Sequence, residues 1–169
     1  DLGMRHNAAT IAEFVGIEVL ASDAKLERAR ITDLLETISS DVGRLPQSAE
    51  EVALDQALAR AAVKLAVNRH CGTVETIQTV AGPMTVQHGK DLTGIAAVIG
   101  TGGAVVASPD PRAILATALF DAARPFSLKP KAPRLMLDRN YLLYACGLLR
   151  EVEPQAALEL ALAHLQVLS

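Results

Sequence analysis

The apolar run at residues 95–99 is the most informative hydrophobic pattern in this chain. It is short, rich in β-branched residues and bounded by glycines, which predicts a buried strand rather than a helix. Glycines at three of the four positions 100–103 let the backbone turn sharply and let another group approach it closely. Ser108 can cap a following helix, and Pro109 or Pro111 suits its first turn. The pattern predicts strand, glycine turn and helix, an arrangement found both at ligand sites and at simple corners of a fold.

Apolar residues recur every three or four positions elsewhere, which is typical of amphipathic helices. The clearest case follows Ser48, because Ser48 and Glu51 form a capping box. Asn7, Ser22 and Asp138 are the expected caps of three other helices. The predicted helices cover about residues 8–15, 23–39, 49–71, 111–123, 139–149 and 154–168.

A small amount of sheet is predicted from β-branched and alternating residues. Residues 73–88 are rich in Thr, Val and Ile and then alternate around a Gly-Pro turn, so we expect a β-hairpin. Residues 134–137 are expected to be a short extended piece, and three prolines predict an extended surface loop at 124–133. We therefore predict an α+β fold that is mostly helical, with one small sheet formed by the hairpin and the strand at 95–100.

The composition fits one domain and excludes several classes of protein. The chain has 169 residues, of which 50% are hydrophobic and only 3% aromatic, so the core must consist mainly of Ala, Leu, Val and Ile. A net charge of -3 provides no basic field for nucleic acid. No apolar run approaches the roughly 20 residues of a membrane helix. Cys71 and Cys146 cannot form a disulfide framework, so reduced thiols and a cytoplasmic location are expected.

No complete set of catalytic residues is visible in the sequence. The four histidines, His6, His70, His88 and His164, are isolated and lack the spacing of metal ligands, so we predict neither a metal site nor a catalytic centre. No Gly-x-x-x-x-Gly-Lys-Ser/Thr phosphate loop is present. Arg112 is the charged residue of most interest, because its guanidinium, in the first turn after the glycine loop, can stack on a base or pair with a phosphate. The alternative is an ordinary exposed helix residue.

Six separate blocks of the sequence resemble one protein family, in their order along the chain. They are DLGMRHNA (1–8), NRHCG (68–72), GKDLT (89–93), VIGTGG (98–103), SPDPR (108–112) and LDRNY (137–141). Together they resemble the MutL family that is associated with adenosylcobalamin-dependent glutamate (methylaspartate) mutase. That family shares only a name with the mismatch-repair protein. The resemblance covers essentially the whole chain.

This resemblance implies a place in the actin, sugar kinase and Hsp70 ATPase superfamily. Such proteins have two ribonuclease-H-like lobes with the nucleotide between them, so the fold of this chain would be part of one lobe. Residues 95–103 resemble the adenosine motif of the superfamily. The residues that the resemblance implies on the adenosine side of a site for ATP or ADP with Mg²⁺ are Gly100, Thr101, Gly102, Gly103 and Arg112.

The chain departs from the superfamily pattern because it has no Asp-x-Gly-x-Thr phosphate loop. By resemblance, residues 1–169 are a single C-terminal lobe or fragment, with a helical insertion at about 7–46 and a nucleotide-side core at 47–169. The implied function is that of the C-terminal segment of an ATP-dependent accessory factor, which reactivates a cobalamin-dependent mutase and binds its subunits. This segment would contribute one wall of the site and no catalytic residue, so ATP hydrolysis is expected only in the full-length protein.

Two other functions stay open on the sequence alone. A scaffold or protein-interaction domain without nucleotide would use the glycine turn only for packing. A small-molecule kinase lobe would share the fold but needs an acceptor aspartate or base that the sequence does not reveal. An exposed sheet edge, left by early strands that the chain lacks, would favour a homodimer or strand exchange.

Overall fold

The elements of the fold are given by a computed structural model of the protein, which describes residues 3–168. A 3₁₀ turn at Met4–Asn7 leads into the helices, which are α1 (Ala8–Val15), α2 (Ile17–Ala24), α3 (Arg28–Ser40), α4 (Ala49–His70), α5 (Gly103–Val106), α6 (Pro111–Ala116), α7 (Leu143–Leu149) and α8 (Pro154–His164). The strands are β1 (Thr73–Thr79), β2 (Gly82–His88), β3 (Ala97–Gly100), β4 (Arg134–Asp138) and β5 (Leu165–Val167). The chain is therefore an α+β protein in which helices predominate, as predicted. Asp1 and Leu2, which open the first of the six sequence blocks, lie outside the described residues.

Helix α4, the longest helix in residues 3–168, starts where the capping box predicts it. The Ser48 hydroxyl accepts a 3.2 Å hydrogen bond from the amide of Glu51. The Glu51 carboxylate accepts a bond from the amide of Gln47 at 2.5 Å, one residue earlier than the box requires. This bond comes first among the causes that hold the pKa of Glu51 below its ordinary value.

Helix α4 lies between two hydrophobic cores. Leu54, Ala57 and Leu58 are buried in a core with apolar residues of α1, α2 and α3. Ala59, the next residue along α4, is buried in a second core on the side of the sheet. The second core consists of Ala59, Val105, Ile114, Leu115, Leu135 and Leu137. A single helix therefore supports both the helical part of the fold and the part that carries the glycine turn.

Strand β4 is the centre of a three-stranded sheet of order β3-β4-β5. Strand β3 runs parallel to β4, with Gly100 opposite Leu137, and β5 runs antiparallel to β4. Leu135, Leu137 and Asp138 of β4 are buried. The central strand of this sheet is therefore β4. The prediction of a buried strand at 95–99 is wrong, because β3 lies at the edge of the sheet: Ala97 and Val98 are half-buried, Ile99 is exposed, and only Gly100 is buried.

The predicted β-hairpin forms, but it does not join this sheet. Strands β1 and β2 pair antiparallel, with Thr79 opposite Gly82, as a separate two-stranded sheet. Most residues of both strands are exposed. The prediction of a single sheet from the hairpin and the strand at 95–100 is wrong, because β3 pairs with a strand far along the chain, which no local pattern indicates.

The region predicted as one helix at 23–39 contains the end of α2 and all of α3. Ser22 therefore lies inside α2 and caps nothing. Lys25 ends α2 in the left-handed conformation, with φ 56°, and Glu27 is extended before α3 begins. Asn7 precedes α1 as predicted, but its side chain donates to the carbonyl of Gly3 (3.1 Å) and makes no cap bond.

Other helix boundaries also differ from the prediction. The helix expected at 111–123 ends at Ala116, and the last helix ends at His164, where the chain continues as strand β5. Asp110, rather than Ser108, caps α6 by accepting a 2.9 Å bond from the amide of Ala113, while Pro111 takes the first turn as expected. None of the helices in the described part of the chain is long and apolar enough to cross a bilayer.

Residues 127–130 are buried. The prolines predict a surface loop over the whole of 124–133, and for this part of the segment that prediction is wrong. The carbonyl of Leu128 accepts a 2.9 Å bond from the amide of Leu92, so the segment is inserted between other backbone segments. Lys129 is only 2% exposed, and its Nζ donates a 3.1 Å bond to the carbonyl of Thr117. The prolines correctly predict an irregular backbone, but they do not predict that other parts of the protein bury it.

Candidate functional site

The predicted glycine turn lies at the carboxyl end of strand β3. The strand ends at Gly100, and Gly102 precedes helix α5 with φ 90° and ψ 151°. This combination of angles is accessible essentially to glycine alone. The amides of Val105 and Val106 both bond to the carbonyl of Gly102 at 3.0 Å. The chain therefore turns directly into a helix, earlier than the start that was predicted after Ser108.

Gly100 is required for a different reason, which is packing. It is buried, and a Cβ at this position would lie 2.9 Å from side-chain carbons of both Leu115 and Val105. Real Cβ atoms are rarely so close to other carbons, so a larger residue would push the second core apart. The absence of a side chain lets the end of β3 lie directly against that core.

The outer side of the turn is open. A Cβ built on Gly102 or on Gly103 meets no other atom within 4 Å. Thr101 and Gly103 are both exposed. An external group can therefore approach the backbone of residues 101–103 without displacing any part of the protein.

Strand β4 brings a carboxylate next to the turn. Because β3 and β4 are parallel and Gly100 lies opposite Leu137, the residues that follow them are neighbours at the carboxyl edge of the sheet. Those residues are Thr101 and Asp138, and the Thr101 hydroxyl donates a 2.9 Å hydrogen bond to Asp138 Oδ2. Asp138 is only 1% exposed. The turn is thus tied to the central strand by a buried charge.

Asp138 also anchors the start of helix α7, although it is not the N-cap that the sequence predicts. The helix begins at Leu143 instead of at residue 139, and its N-cap residue is Leu142. Its Oδ1 accepts a 2.9 Å bond from the amide of Leu142, and its Oδ2 accepts a 3.0 Å bond from the amide of Leu143. Burial by itself raises the pKa of Asp138, but the two amides, the Thr101 hydroxyl and nearby His164 outweigh burial and hold the pKa below its ordinary value. The carboxylate is therefore ionised at neutral pH.

Arg112 lies in the first turn of α6, as predicted, and is exposed. It makes no hydrogen bond or ion pair with any of residues 3–168. Its guanidinium is free to bind an external group, but the structure does not bond it to the turn. A role for Arg112 at a base or a phosphate therefore stays a prediction.

The histidines and cysteines do not gather at the turn. His88 Nε2 lies 2.9 Å from Glu75 on the hairpin, and His164 Nδ1 lies 2.6 Å from the side-chain nitrogen of Asn140. Both cysteines are unpaired, and Cys146 is buried. Within the part of the chain that the structure describes, no group of three His, Cys, Asp or Glu residues is placed to hold a metal ion.

A cavity of about 450 Å³ lies elsewhere, between helices α2 and α4. Its walls are mostly apolar, and the ion pair of Asp23 with Arg60 (2.7 Å) lies among the polar groups of its lining. No residue of the turn at 100–103 lines it. The cavity and the glycine turn are therefore separate features of the molecule.

The sequence alone does not predict the contact between Thr101 and Asp138, which lie 37 positions apart. The available signal was that each follows a short apolar run, at 95–99 and at 135–137. Parallel pairing of those two runs places their carboxyl ends at the same edge of a sheet. The molecule thus belongs to the class of α+β proteins with a candidate ligand site at the carboxyl edge of two parallel strands.

Comparison with known proteins covers nearly the whole chain. The family model described as MutL protein matches residues 1–165. The curated Protein MutL of Clostridium tetanomorphum is 35% identical over 160 residues, which cover 95% of this chain and 35% of that protein. The chain therefore belongs to the MutL family, and it spans about a third of the length of this curated relative. No solved structure gives a significant match.

Proposed function

We propose that the turn of residues 100–103 forms the adenosine-side wall of a nucleotide site in an ATP-dependent accessory factor. The observation that carries this proposal is the open face of the turn, where Gly102 and Gly103 leave free space beside the backbone. A backbone without side chains lets a flat nucleoside come within contact distance. The turn also lies at the carboxyl edge of two parallel strands, where open α/β sheets bind their ligands.

The residues of this chain would hold the nucleoside, and other groups would handle the phosphates. Arg112 is exposed and has no charged partner in the described residues, so it is available to stack on the base or pair with a phosphate. Before a nucleotide binds, the bond of Thr101 to Asp138 would hold the turn in its open conformation. The sequence contains no Asp-x-Gly-x-Thr loop, so Mg²⁺ and ATP hydrolysis would depend on a second lobe. Nucleotide binding and hydrolysis would then drive closure of the two lobes.

We further propose that the partner is an adenosylcobalamin-dependent glutamate (methylaspartate) mutase. Support comes from membership in the MutL family together with the six blocks that resemble the mutase-associated proteins of that name. The factor would bind the mutase subunits and drive exchange of damaged cofactor, so that the mutase is reactivated. The cytoplasm is the expected compartment, since the two unpaired cysteines stay reduced there.

Substitution of Gly103 by valine tests this proposal. A side chain at residue 103 enters free space, so the fold should tolerate it, while a nucleoside could no longer approach the turn. The assay measures the activity that the intact protein restores to inactivated mutase, with and without ATP. We expect ATP-dependent restoration with the wild type and little or none with Gly103→Val.

The matched control is Gly94→Val. Gly94 is also exposed and has no atom within 4 Å of a built Cβ, but it precedes strand β3, at the end opposite to the turn. This variant should restore mutase activity as well as the wild type does. Restoration that does not need ATP, or full activity of Gly103→Val, would contradict the proposal.

A protein-interaction function without nucleotide is favoured by a different observation. Large apolar side chains on and next to α7 and α8 are exposed, and exposed apolar patches mark protein contacts. They are Tyr144, Leu148, Val152, Leu158 and Leu162. Under this alternative, Leu148→Ser would abolish binding to the mutase, Gly103→Val would leave binding unchanged, and ATP would have no effect.

A further inference from the structure

One carboxylate joins the glycine turn to the helical hairpin formed by α7 and α8. Asp138 Oδ2 accepts from both the Thr101 hydroxyl (2.9 Å) and the amide of Leu143 (3.0 Å), while Oδ1 accepts from the amide of Leu142 (2.9 Å). Because Asp138 is 1% exposed, water cannot readily replace any of these donors. Three groups from two parts of the fold therefore share a single buried charge.

The helical hairpin of α7 and α8 has few other attachments to the rest of the molecule. Helices α7 and α8 pack chiefly on each other, and each has a single buried residue, Cys146 and Ala157 respectively. Further ties come from the pairing of β5 with β4 and from the 2.6 Å contact of Asn140 with His164. The bonds to Asp138 are thus a main determinant of how α7 begins and how it is oriented.

We propose that Asp138 is a positioning residue that couples the state of the turn at 100–103 to the start of helix α7. Where the turn is occupied by a nucleotide, this inference rests on the function proposed above. A ligand that draws the Thr101 hydroxyl towards itself leaves Leu143 as the only donor to Oδ2. That remaining bond then becomes stronger, because a sole donor no longer shares the charge of the oxygen. Occupancy of the turn therefore changes how firmly α7, with its exposed Tyr144 and Leu148, is held.

Three substitutions separate this coupling from general stability. Thr101→Val removes the hydroxyl and keeps the branched shape, whereas Thr101→Ser keeps the hydroxyl. Asp138→Asn keeps the size of the side chain but replaces one acceptor oxygen with a donor, so the amides of Leu142 and Leu143 cannot both be satisfied. The two Thr101 variants leave the carboxylate and its bonds to α7 in place, so they serve even where Asp138→Asn does not fold.

Amide hydrogen exchange in the intact protein without ligand tests whether Asp138 connects the turn to the start of α7. In Asp138→Asn, exchange at Leu142 or Leu143 should be at least about tenfold faster, the factor that corresponds to losing one hydrogen bond to a charged group. In Thr101→Val, exchange at Leu143 should be slower than in the wild type, and Thr101→Ser should match the wild type. Equal exchange at Leu143 in Thr101→Val and the wild type would overturn the proposal.

The same measurement with saturating ADP tests coupling to the ligand, after calorimetry on the same samples has shown whether ADP binds. We expect ADP to slow exchange at Leu143 in the wild type and in Thr101→Ser, and to leave Thr101→Val unchanged. Bound ADP without any change at Leu143 in the wild type would overturn the coupling and leave the nucleotide site standing. Absence of ADP binding would contradict the proposed function, while the ligand-free comparison would still decide whether Asp138 ties the turn to α7.

Discussion

The fold requires two of the three glycines of the turn, for different physical reasons. Gly100 has no room for a side chain, because Leu115 and Val105 occupy the space where its Cβ would lie. Gly102 has room but adopts backbone angles that only glycine tolerates. Gly103 has both room and ordinary angles, so its lack of a side chain has no structural explanation among its neighbours. Gly103 is therefore the position at which a substitution tests the proposed site with the least disturbance of the fold.

Alanine at position 100 should destabilise the protein. A Cβ 2.9 Å from core carbons overpacks the second core, which costs about 1–3 kcal/mol in the free energy of unfolding. Urea denaturation of the wild type and Gly100→Ala measures the difference. Gly103→Ala is the matched control and should change the free energy by less than about 0.5 kcal/mol. Similar losses at both positions would contradict the packing described for Gly100.

The stabilising contribution of Asp138 should depend on pH. Its pKa in the folded protein lies below its ordinary value, so its contribution is fully present above the unfolded pKa of about 3.9 and is lost as pH falls through the folded pKa. The stability gap between the wild type and Asp138→Asn should therefore be constant near neutrality and shrink below about pH 4. Urea denaturation at a series of pH values checks this, and a gap that widens in acid would contradict it.

At the residue scale, the sequence predicted the turn but not its carboxylate neighbour. Residues 100–103 stand out through local glycine content, whereas the sequence indicates Asp138 only as a helix cap. Its contact with Thr101 depends on strand pairing across 37 positions. No pattern within either segment carries that information, whereas the bonds of Asp138 to the start of α7 involve residues only four and five positions away.

Among the elements, helix α4 has the most clearly defined start, and its cap can be tested. Replacing Ser48 with alanine removes the acceptor for the amide of Glu51, which should lower the free energy of unfolding by about 1 kcal/mol. Ser48→Asn retains a capping oxygen and should remain close to the wild type. Thermal or urea unfolding of both variants measures the effect. An equal loss in both would mean that the serine hydroxyl does not act as a cap.

Elements whose signals are local were predicted well, and elements that depend on distant contacts were not. Helices α1 and α4 have glycine or capping residues at their ends, and their predicted bounds hold. The break after α2 depends on Lys25 in a left-handed conformation. A lysine does not by itself indicate such a conformation. Strand β5 lies within an apolar pattern that also fits a helix, and it is extended because β4 offers it a partner.

At the scale of the whole molecule, the α+β class was predictable and the sheet topology was not. The balance of helical and β-branched segments is a property of composition and periodicity. The pairing of β3 with β4 instead of with the hairpin depends on which strands can lie on the second core. One consequence is that β3 forms a sheet edge in the described part of the chain, with Ile99 42% exposed. Such an edge is available to a further strand.

Calorimetric titration of ADP into the intact protein tests the nucleotide site most directly. We expect the wild type to give saturable heat for one site, and Gly103→Val to give none, because a side chain at residue 103 fills the open face of the turn. Gly94→Val should bind ADP as the wild type does. No heat of binding with the folded wild type, or equal binding by Gly103→Val, would contradict a nucleotide site at residues 100–103.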